Sequence, residues 1–481
     1  MLLSKSPRRV RLSFEGLEDR LTPANNPLLI APVLNSLPGA RASLYLDFNG
    51  HFDAKYTSIA GVVTNNVDTP PFDRDNNPNS FNAAEREEIY AIWRYVAEDF
   101  LPFNINVTTV QPASFAPKVA ERIAIGGTGA WLPGAGPMGF VGAYVPNGFT
   151  VLPGPTGTNY VFSGLSTNTR HVADLTSNIA GLTFGVLDQN TYPGGTLNTG
   201  LPDGTAPISG GAFSTNNTRS LWWYGTTTSA VTYQNDLNVI GSAVNGFGFR
   251  PDDYGNTMAT ALNVNNSTIP SNNFTANGQI NSVTDVDVFR FSAKTGIINI
   301  DVNVPAPYNN LDVRARLFDI NGVLLVDSNP STSFNAAITY ATRYVGDYYL
   351  VVSSSGPSAN STTQNVGFNI GSYAISTNII NLAVYAPKRW VYDPRTALYY
   401  GYATVTSDAV VNGPYYLNFT APPGVTVASP NSQQLGAQFR VKFNASLPAN
   451  TPTQFLIQVK NPLNANLGTY YNSFLTNFFV S

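Results

Sequence analysis

The 481-residue sequence has no cysteine and only two histidines, His51 and His171. The first absence removes disulfides, thiol nucleophiles and Cys-ligated metals together, and it leaves the compartment undecided on redox grounds. The second excludes a zinc-binding HExxH, which needs two imidazoles one helical turn apart and a glutamate to work on the metal-bound water. Charged residues are scarce, at 11%, and a net charge of −3 gives nucleic acid no electrostatic reason to bind. There is no run of 18 or more apolar residues, so no helix long and apolar enough to cross a bilayer is expected. Methionine is confined to Met1, Met138 and Met258.

What is present is turn and strand material. Gly (40), Pro (34), Asn, Thr and Ser are abundant, as in loop-rich β structure. Aromatic residues at 12% argue against disorder, because they bury enough surface to offset chain entropy. The length implies about three domains. Lys5, Arg8, Arg9 and Arg11 are followed by no apolar signal-peptide region. Instead comes Leu12-Ser-Phe-Glu-Gly-Leu-Glu-Asp-Arg-Leu-Thr-Pro-Ala24, which resembles a leader at the start of bacterial surface and secreted proteins. Residues 1–24 are therefore expected to be a basic secretion leader, with an extracellular or cell-surface location, and Pro- and Asn-rich 25–41 a linker.

Alternating apolar residues predict a strand at 42–48. Asn82 and Glu85 form a capping-box start for a helix over 82–100, whose Ile89, Trp93, Val96 and Phe100 make one apolar stripe. Strands are expected at 103–109, 122–127 and 139–145, and a second helix at 170–186. Residues 188–235 carry few periodic apolar positions and read as irregular. After Pro251 the pattern turns to short alternating strands between Asn, Gly and Pro turns.

Leu46-Asp-Phe-Asn-Gly-His51, Phe72-Asp-Arg-Asp75, the block Ile92-Trp-Arg-Tyr-Val-Ala-Glu-Asp-Phe-Leu-Pro-Phe-Asn-Ile-Asn-Val-Thr-Thr109 and Ile123-Ala-Ile-Gly-Gly127 belong to one pattern. On these residues, segment 42–248 resembles the catalytic domain of bacterial metzincin-like metallopeptidases. In that family a helix bearing HExxHxxGxxH follows. Here the text is His171-Val-Ala-Asp-Leu-Thr-Ser-Asn-Ile-Ala-Gly-Leu-Thr-Phe-Gly-Val-Leu-Asp188. The resemblance places Asn178 at the first zinc histidine, Ile179 at the general base, Leu182 at the second histidine and Asp188 at the third. It keeps the turn glycine as Gly185 and puts Tyr224, in Leu221-Trp-Trp-Tyr-Gly225, where the family has a methionine under the metal.

Asn amide oxygen is a weak zinc ligand, leucine is none, and Ile179 cannot accept a proton. Val172, Leu175, Ile179, Leu182 and Val186 complete an apolar helix stripe. The expectation is a degenerate peptidase-like domain with no zinc and no catalytic residues. Two rivals are weaker. His171, Asp174 and Ser177 lie on one helix face, but triad members converge from separate segments. Glu98 and Asp99 are adjacent in a helix and so diverge by about 100° rather than pairing for glycoside hydrolysis.

Asp252-Asp-Tyr-Gly-Asn-Thr-Met-Ala-Thr-Ala261, Asp285-Val-Asp-Val-Phe-Arg-Phe291, Leu317-Phe-Asp-Ile-Asn-Gly322 and Gly346-Asp-Tyr-Tyr-Leu-Val-Val352 occur in order. Through them, residues 249–376 resemble the bacterial pre-peptidase C-terminal domain, a β-sandwich appended to secreted peptidases. Asp285 and Asp287 alternate with valines, so both carboxylates emerge on one strand face roughly 6–7 Å apart. With Asp252 and Asp253 they form a candidate calcium site, set against strand-end hydrogen bonding. Residues 380–481 look like an Ig- or fibronectin-like sandwich. The expected class is multidomain α+β: a zincin-like α/β N-terminal domain, then two antiparallel β-sandwich (jelly-roll or Ig-like) domains. The expected function is a non-catalytic, secreted or cell-surface pseudopeptidase that acts as scaffold or binding protein toward a protein or polysaccharide of the envelope or matrix. Its alternatives are a hydrolase with a non-standard site and a pure surface-adhesion protein.

Overall fold

Asn82 starts the first helix, Ala83–Asp99, by accepting from Glu85 N at 3.0 Å, while Glu85 Oε2 accepts from Asn82 N at 2.8 Å. Ile89, Trp93, Val96 and Phe100 are buried along its inner face. Trp93 Nε1 donates to Val107 O at 2.9 Å and so fixes the helix against a sheet. The computed structural model describes residues 31–480 except 58–62, 133–141, 144–147, 152–157, 215–216, 266–272, 343–344, 356–364, 386, 413, 421, 436–437, 445, 466 and 468–476. The leader at 1–24 lies outside the described residues, as does most of the strand expected at 139–145.

That sheet has the order Ile105–Thr108, Ala42–Asp47, Ala120–Ile125, Thr158–Val161, Gly142–Ala143. The first three pairings are parallel and the last antiparallel. Its apolar residues, among them Leu44, Leu46, Ile123, Ile125 and Val161, are buried, as strands covered on both faces require. The second long helix, Thr169–Thr183, packs beside the first, with Phe100 edge-on to Phe184 and Trp222.

Residues 188–235 are not irregular throughout. Asn190–Thr191 pairs with Thr196–Leu197, Thr205–Pro207 with Arg219–Leu221, and Trp223–Thr226 with Tyr233–Asn235. The strands are two to four residues long, too short for periodicity to reveal.

A five-stranded sheet follows, ordered Leu262–Asn263, Val286–Ala293, Gly346–Ser354, Val313–Asp319, Leu324–Ser328. Its inner residues share a core with Ile298, Ile300 and Val302 of Gly296–Asn303 and with Ile375 of Gly371–Tyr385. Gly371–Tyr385 is 15 residues long and serves two sheets. It pairs with Thr275–Ile280 and Gly296–Asn303 along its first part and with Leu398–Ser407 at its end. The C-terminal strands surround a separate core that includes Leu417, Val441, Phe455 and Ile457.

The expected α+β class with a zincin-like α/β N-terminal domain is overturned by the element content. Strands account for 42% of the structure and helix for 12%, and only two helices among the described residues exceed five residues. Among the described residues the two long helices arise where a cap and an apolar stripe coincide. Elsewhere the Thr-, Asn- and Gly-rich chain lacks the strong helix formers and folds as short strands. The β-sandwich part of the expectation fits the observed sheets. One apolar cluster runs from Ala31 through both helices to Ile379, and Trp223 pairs with Gly367. The N-terminal unit and the first sandwich are thus built on one continuous core. No helix of the described residues is long and apolar enough to cross a membrane.

Candidate functional site

The helix Thr169–Thr183 is buried along its whole length from Val172 to Thr183. Its apolar stripe faces the core, as its spacing implies. The opposite face carries Asp174, Ser177 and Asn178, which are buried as well and hydrogen-bonded to distant segments. Asn178 Nδ2 donates to Ile208 O at 2.8 Å, and Ser177 Oγ donates to Asp99 Oδ2 at 2.6 Å. Ile179 is 2% exposed and belongs to the main core, and Leu182 is buried beside it. Trp222 lies against the helix at Gly181, where an added Cβ would meet its ring at 2.8 Å. Trp222 Nε1 is held by Asp99 O at 2.7 Å.

Gly185 terminates the helix. At φ +96 it stands in the left-handed region, Val186 N donates to Gly181 O at 2.9 Å, and Gly185 N donates to Leu182 O at 3.1 Å. This is a Schellman turn, in which glycine avoids a Cβ penalty. Asp188 emerges beyond it and is exposed. Tyr224 is half-buried in strand Trp223–Thr226, paired with Asn235 and Val366. The arrangement offers metal chemistry little. Asn178 offers a metal only a weak amide oxygen, Ile179 and Leu182 carry no ligand atom, and Asp188 is exposed.

The rival groupings come apart too. Ser177 is committed to Asp99, whereas Asp174 faces Arg170 Nε at 3.7 Å. Glu98 and Asp99 join elements of the fold. Glu98 Oε1 accepts from Ser372 N at 2.6 Å, and Asp99 Oδ1 accepts from Asn310 Nδ2 at 2.7 Å. Burial, offset by these bonds, holds Asp99 well above the ordinary carboxylate pKa. His51 Nε2 lies 3.2 Å from Asp53 Oδ1 and 3.1 Å from Thr158 Oγ1, and Arg122 approaches Nδ1 at 2.7 Å. Acid and hydroxyl meet the same ring nitrogen, so no relay through the imidazole is set up.

The aspartates of the first sandwich do converge. Asp252, Asp285 and Asp287 each place a carboxylate oxygen within 4.8 Å of the others. Asp287 is 0% exposed and Asp285 5%. Oδ1 of each is buried without a hydrogen-bond partner among the described residues. The second oxygen of Asp285 accepts from Asn281 N at 2.7 Å, and that of Asp287 accepts from the Tyr373 hydroxyl. Asp253 is exposed but close enough to add to the negative field. Burial first, then the neighbouring carboxylates against the Tyr373 hydrogen bond, pushes the Asp287 pKa up to about 8. Burial pushes Asp285 and Asp253 up to about 6. Two unpaired buried oxygens facing a third carboxylate fit a hard cation with several oxygen ligands. Asp73, Asp75 and Glu85 also approach one another within 4.8 Å. There both Glu85 oxygens are engaged by Arg74 N and Asn82 N, so that cluster is a turn and helix cap.

Sequence reasoning missed Asp236. Wholly buried, it accepts from Gln189 Nε2 at 3.0 Å, Trp223 N at 2.9 Å, Gln234 Nε2 at 2.8 Å and the Ser209 hydroxyl. It organises the segment read as irregular. Only Asn235, which caps the short helix Asp236–Ile240, marked the place in the sequence.

No family model matches the chain, and no curated protein matches it. Among solved structures it is similar to the pre-peptidase C-terminal domain of a collagenase from Bacillus anthracis, at 17% identity and TM-score 0.18, covering 27% of this chain and 98% of that one. A protein from Eubacterium rectale assigned as secreted matches at 12% identity and TM-score 0.18, covering 47% of this chain and 79% of that one. A GH2 β-galacturonidase from Eisenbergiella tayi bound to galacturonate matches at 13% identity and TM-score 0.15, covering 36% and 28%. Likenesses at these TM-scores carry no argument about function.

Proposed function

We propose that this chain is a non-catalytic relative of metallopeptidases, exported to the cell surface or beyond, which serves as a scaffold or binding protein for an envelope or matrix component. The observation that carries the reading is the helix Thr169–Thr183. At the positions where a metallopeptidase would hold zinc, Asn178 is tied to Ile208 O and Ile179 and Leu182 are in the core. Trp222 lies flush on Gly181. Export rests on the leader-like text through Ala24.

In this reading a calcium ion is held by Asp252, Asp285 and Asp287, with Asp253 contributing to the field. It would neutralise the carboxylates and pin the segment after Pro251 to strand Val286–Ala293. The test is metal content by mass spectrometry and casein hydrolysis by the full chain, with and without chelator. The expected result is no zinc and no chelator-sensitive cleavage. Stoichiometric zinc together with chelator-sensitive proteolysis would overturn the reading.

A further inference from the structure

The C-terminal sandwich turns one face of a sheet to solvent. Strand Leu398–Ser407 is central there, with Gly371–Tyr385 and Val391–Asp393 on one side and Thr453–Lys460 on the other. Alternation divides the side chains between two faces. Ala403, Val405, Phe455 and Ile457 belong to the second core. Tyr402 and Leu456, between them in sequence, face outward at 55% and 37% exposure, and Tyr385 and Val391 are 54% exposed. The strand register gathers these residues into one patch of three rows. Tyr385 lies opposite Thr404 and Thr404 opposite Gln454, Tyr402 lies opposite Leu456, and Tyr400 lies between Val391 and Gln458.

Three features narrow the occupant. The rows hold no charged side chain, and Asp393 and Lys460 enter only one row further on, opposite Leu398 and Thr426. An anionic or cationic polymer therefore finds no counter-charge on the patch. The side chains of Tyr385, Tyr402, Thr404, Gln454 and Gln458 make no hydrogen bond to another described residue. Five neutral donor and acceptor groups thus stand free beside the exposed rings.

The patch is also small. At about 3.4 Å per residue and about 4.8 Å between strands it spans roughly 15 by 18 Å. That is on the order of 300 Å², against about 800 Å² given by each partner of a stable protein pair. A pyranose chain suits all three features. It lays apolar C–H faces on the tyrosine rings and offers uncharged hydroxyls to the free amides and hydroxyls.

We infer that this sheet face binds a neutral polysaccharide chain. The inference rests on the reading of the chain as a binding protein and gives that reading a ligand class, on a domain remote from the degenerate helix. The test is native affinity electrophoresis of the full chain through gels containing hydroxyethylcellulose, xyloglucan, galactomannan or dextran, with polygalacturonate as the anionic comparator. Tyr402→Ala and Tyr385→Ala remove exposed rings without touching the core, and Tyr402→Phe keeps the ring. At least one neutral polymer is expected to retard the protein, with affinity about tenfold weaker in each alanine variant, as the loss of one stacking contact implies. Tyr402→Phe should keep most of the retardation. No retardation by any neutral polymer, retardation unchanged in both alanine variants, or stronger retardation by polygalacturonate would overturn the inference. So would a dimer, seen by sedimentation velocity, that Tyr402→Ala dissociates, because the face would then belong to a second copy. The zinc and casein measurements are independent of it, so its failure would leave the non-catalytic reading standing.

Discussion

Calcium should stabilise this protein in a pH-dependent way, and the structure sets both sign and scale. In the folded, metal-free chain Asp287 has its pKa pushed up to about 8 by burial, against about 3.9 when unfolded. The folded state then holds the extra proton between those values. Stability associated with Asp287 is fully present below pH ~4 and is lost as pH rises through about 8. For a side chain that is 0% exposed, a shift of about four units is worth on the order of 5 kcal/mol. A bound cation reverses this, because it favours the ionised form of Asp285 and Asp287. At a calcium concentration one hundred times Kd the gain is about 2.7 kcal/mol, or roughly 4 °C in Tm when the continuous core from Ala31 to Ile379 unfolds as one unit. The assay is calorimetric unfolding at pH 5 and pH 8, with calcium and with chelator. The calcium-induced rise should be larger at pH 8, since at pH 5 the ion must displace protons. Asp287→Asn should raise the metal-free Tm at pH 8 and abolish the calcium response. An unchanged Tm at pH 8 on adding calcium, or an undiminished response in Asp285→Asn and Asp287→Asn, would refute the reasoning.

Three further outcomes follow from the packing. Gly181→Ala gains about 1 kcal/mol of helix propensity, but its Cβ would fall 2.8 Å from a Trp222 ring pinned to Asp99 O. Overpacking of about 1–3 kcal/mol should win, read as a lower urea midpoint; a raised midpoint would show that the indole yields. Restoring the lost motif with Asn178→His, Ile179→Glu and Leu182→His together should fail to create a zinc enzyme, because a carboxylate at Ile179, 2% exposed, would be buried. Loss of at least 3 kcal/mol is expected, and a stable triple variant with stoichiometric zinc would contradict the packing described here. Asn82→Ala should cost about 1 kcal/mol by opening the capping box with Glu85, measured by chemical denaturation. No change would mean that tertiary contacts alone hold that helix start.

Several features could be read directly from the residues. Asn82 and Glu85 announced the first helix, and the stripe from Val172 to Val186 is buried as its spacing required. The alternation at 285–288 put Asp285 and Asp287 on one face, where they lie with unpaired oxygens. Such signals work because caps, helical periodicity and strand alternation act between residues a few positions apart. The absence of HExxH is of the same kind, a matter of residue identity alone.

Other features were decided by packing between distant segments. The polar face of Thr169–Thr183 carries Ser177 and Asn178, both buried, where Asp99 Oδ2 and Ile208 O accept their hydrogen bonds. Asp99 reaches Asn310 across 211 positions. Arg219 and Asp312 share a cavity through a seam that no local pattern marks. The α+β expectation failed for a local reason: strands two to four residues long carry too little periodicity to mark the segment after the second helix as strand. The sequence alone determined that an HExxH zinc site cannot exist here and where the two long helices begin. Only tertiary structure decided what fills that site and where polar groups remain unpaired, because the partners of buried donors and acceptors come from whichever remote segments the common core brings together.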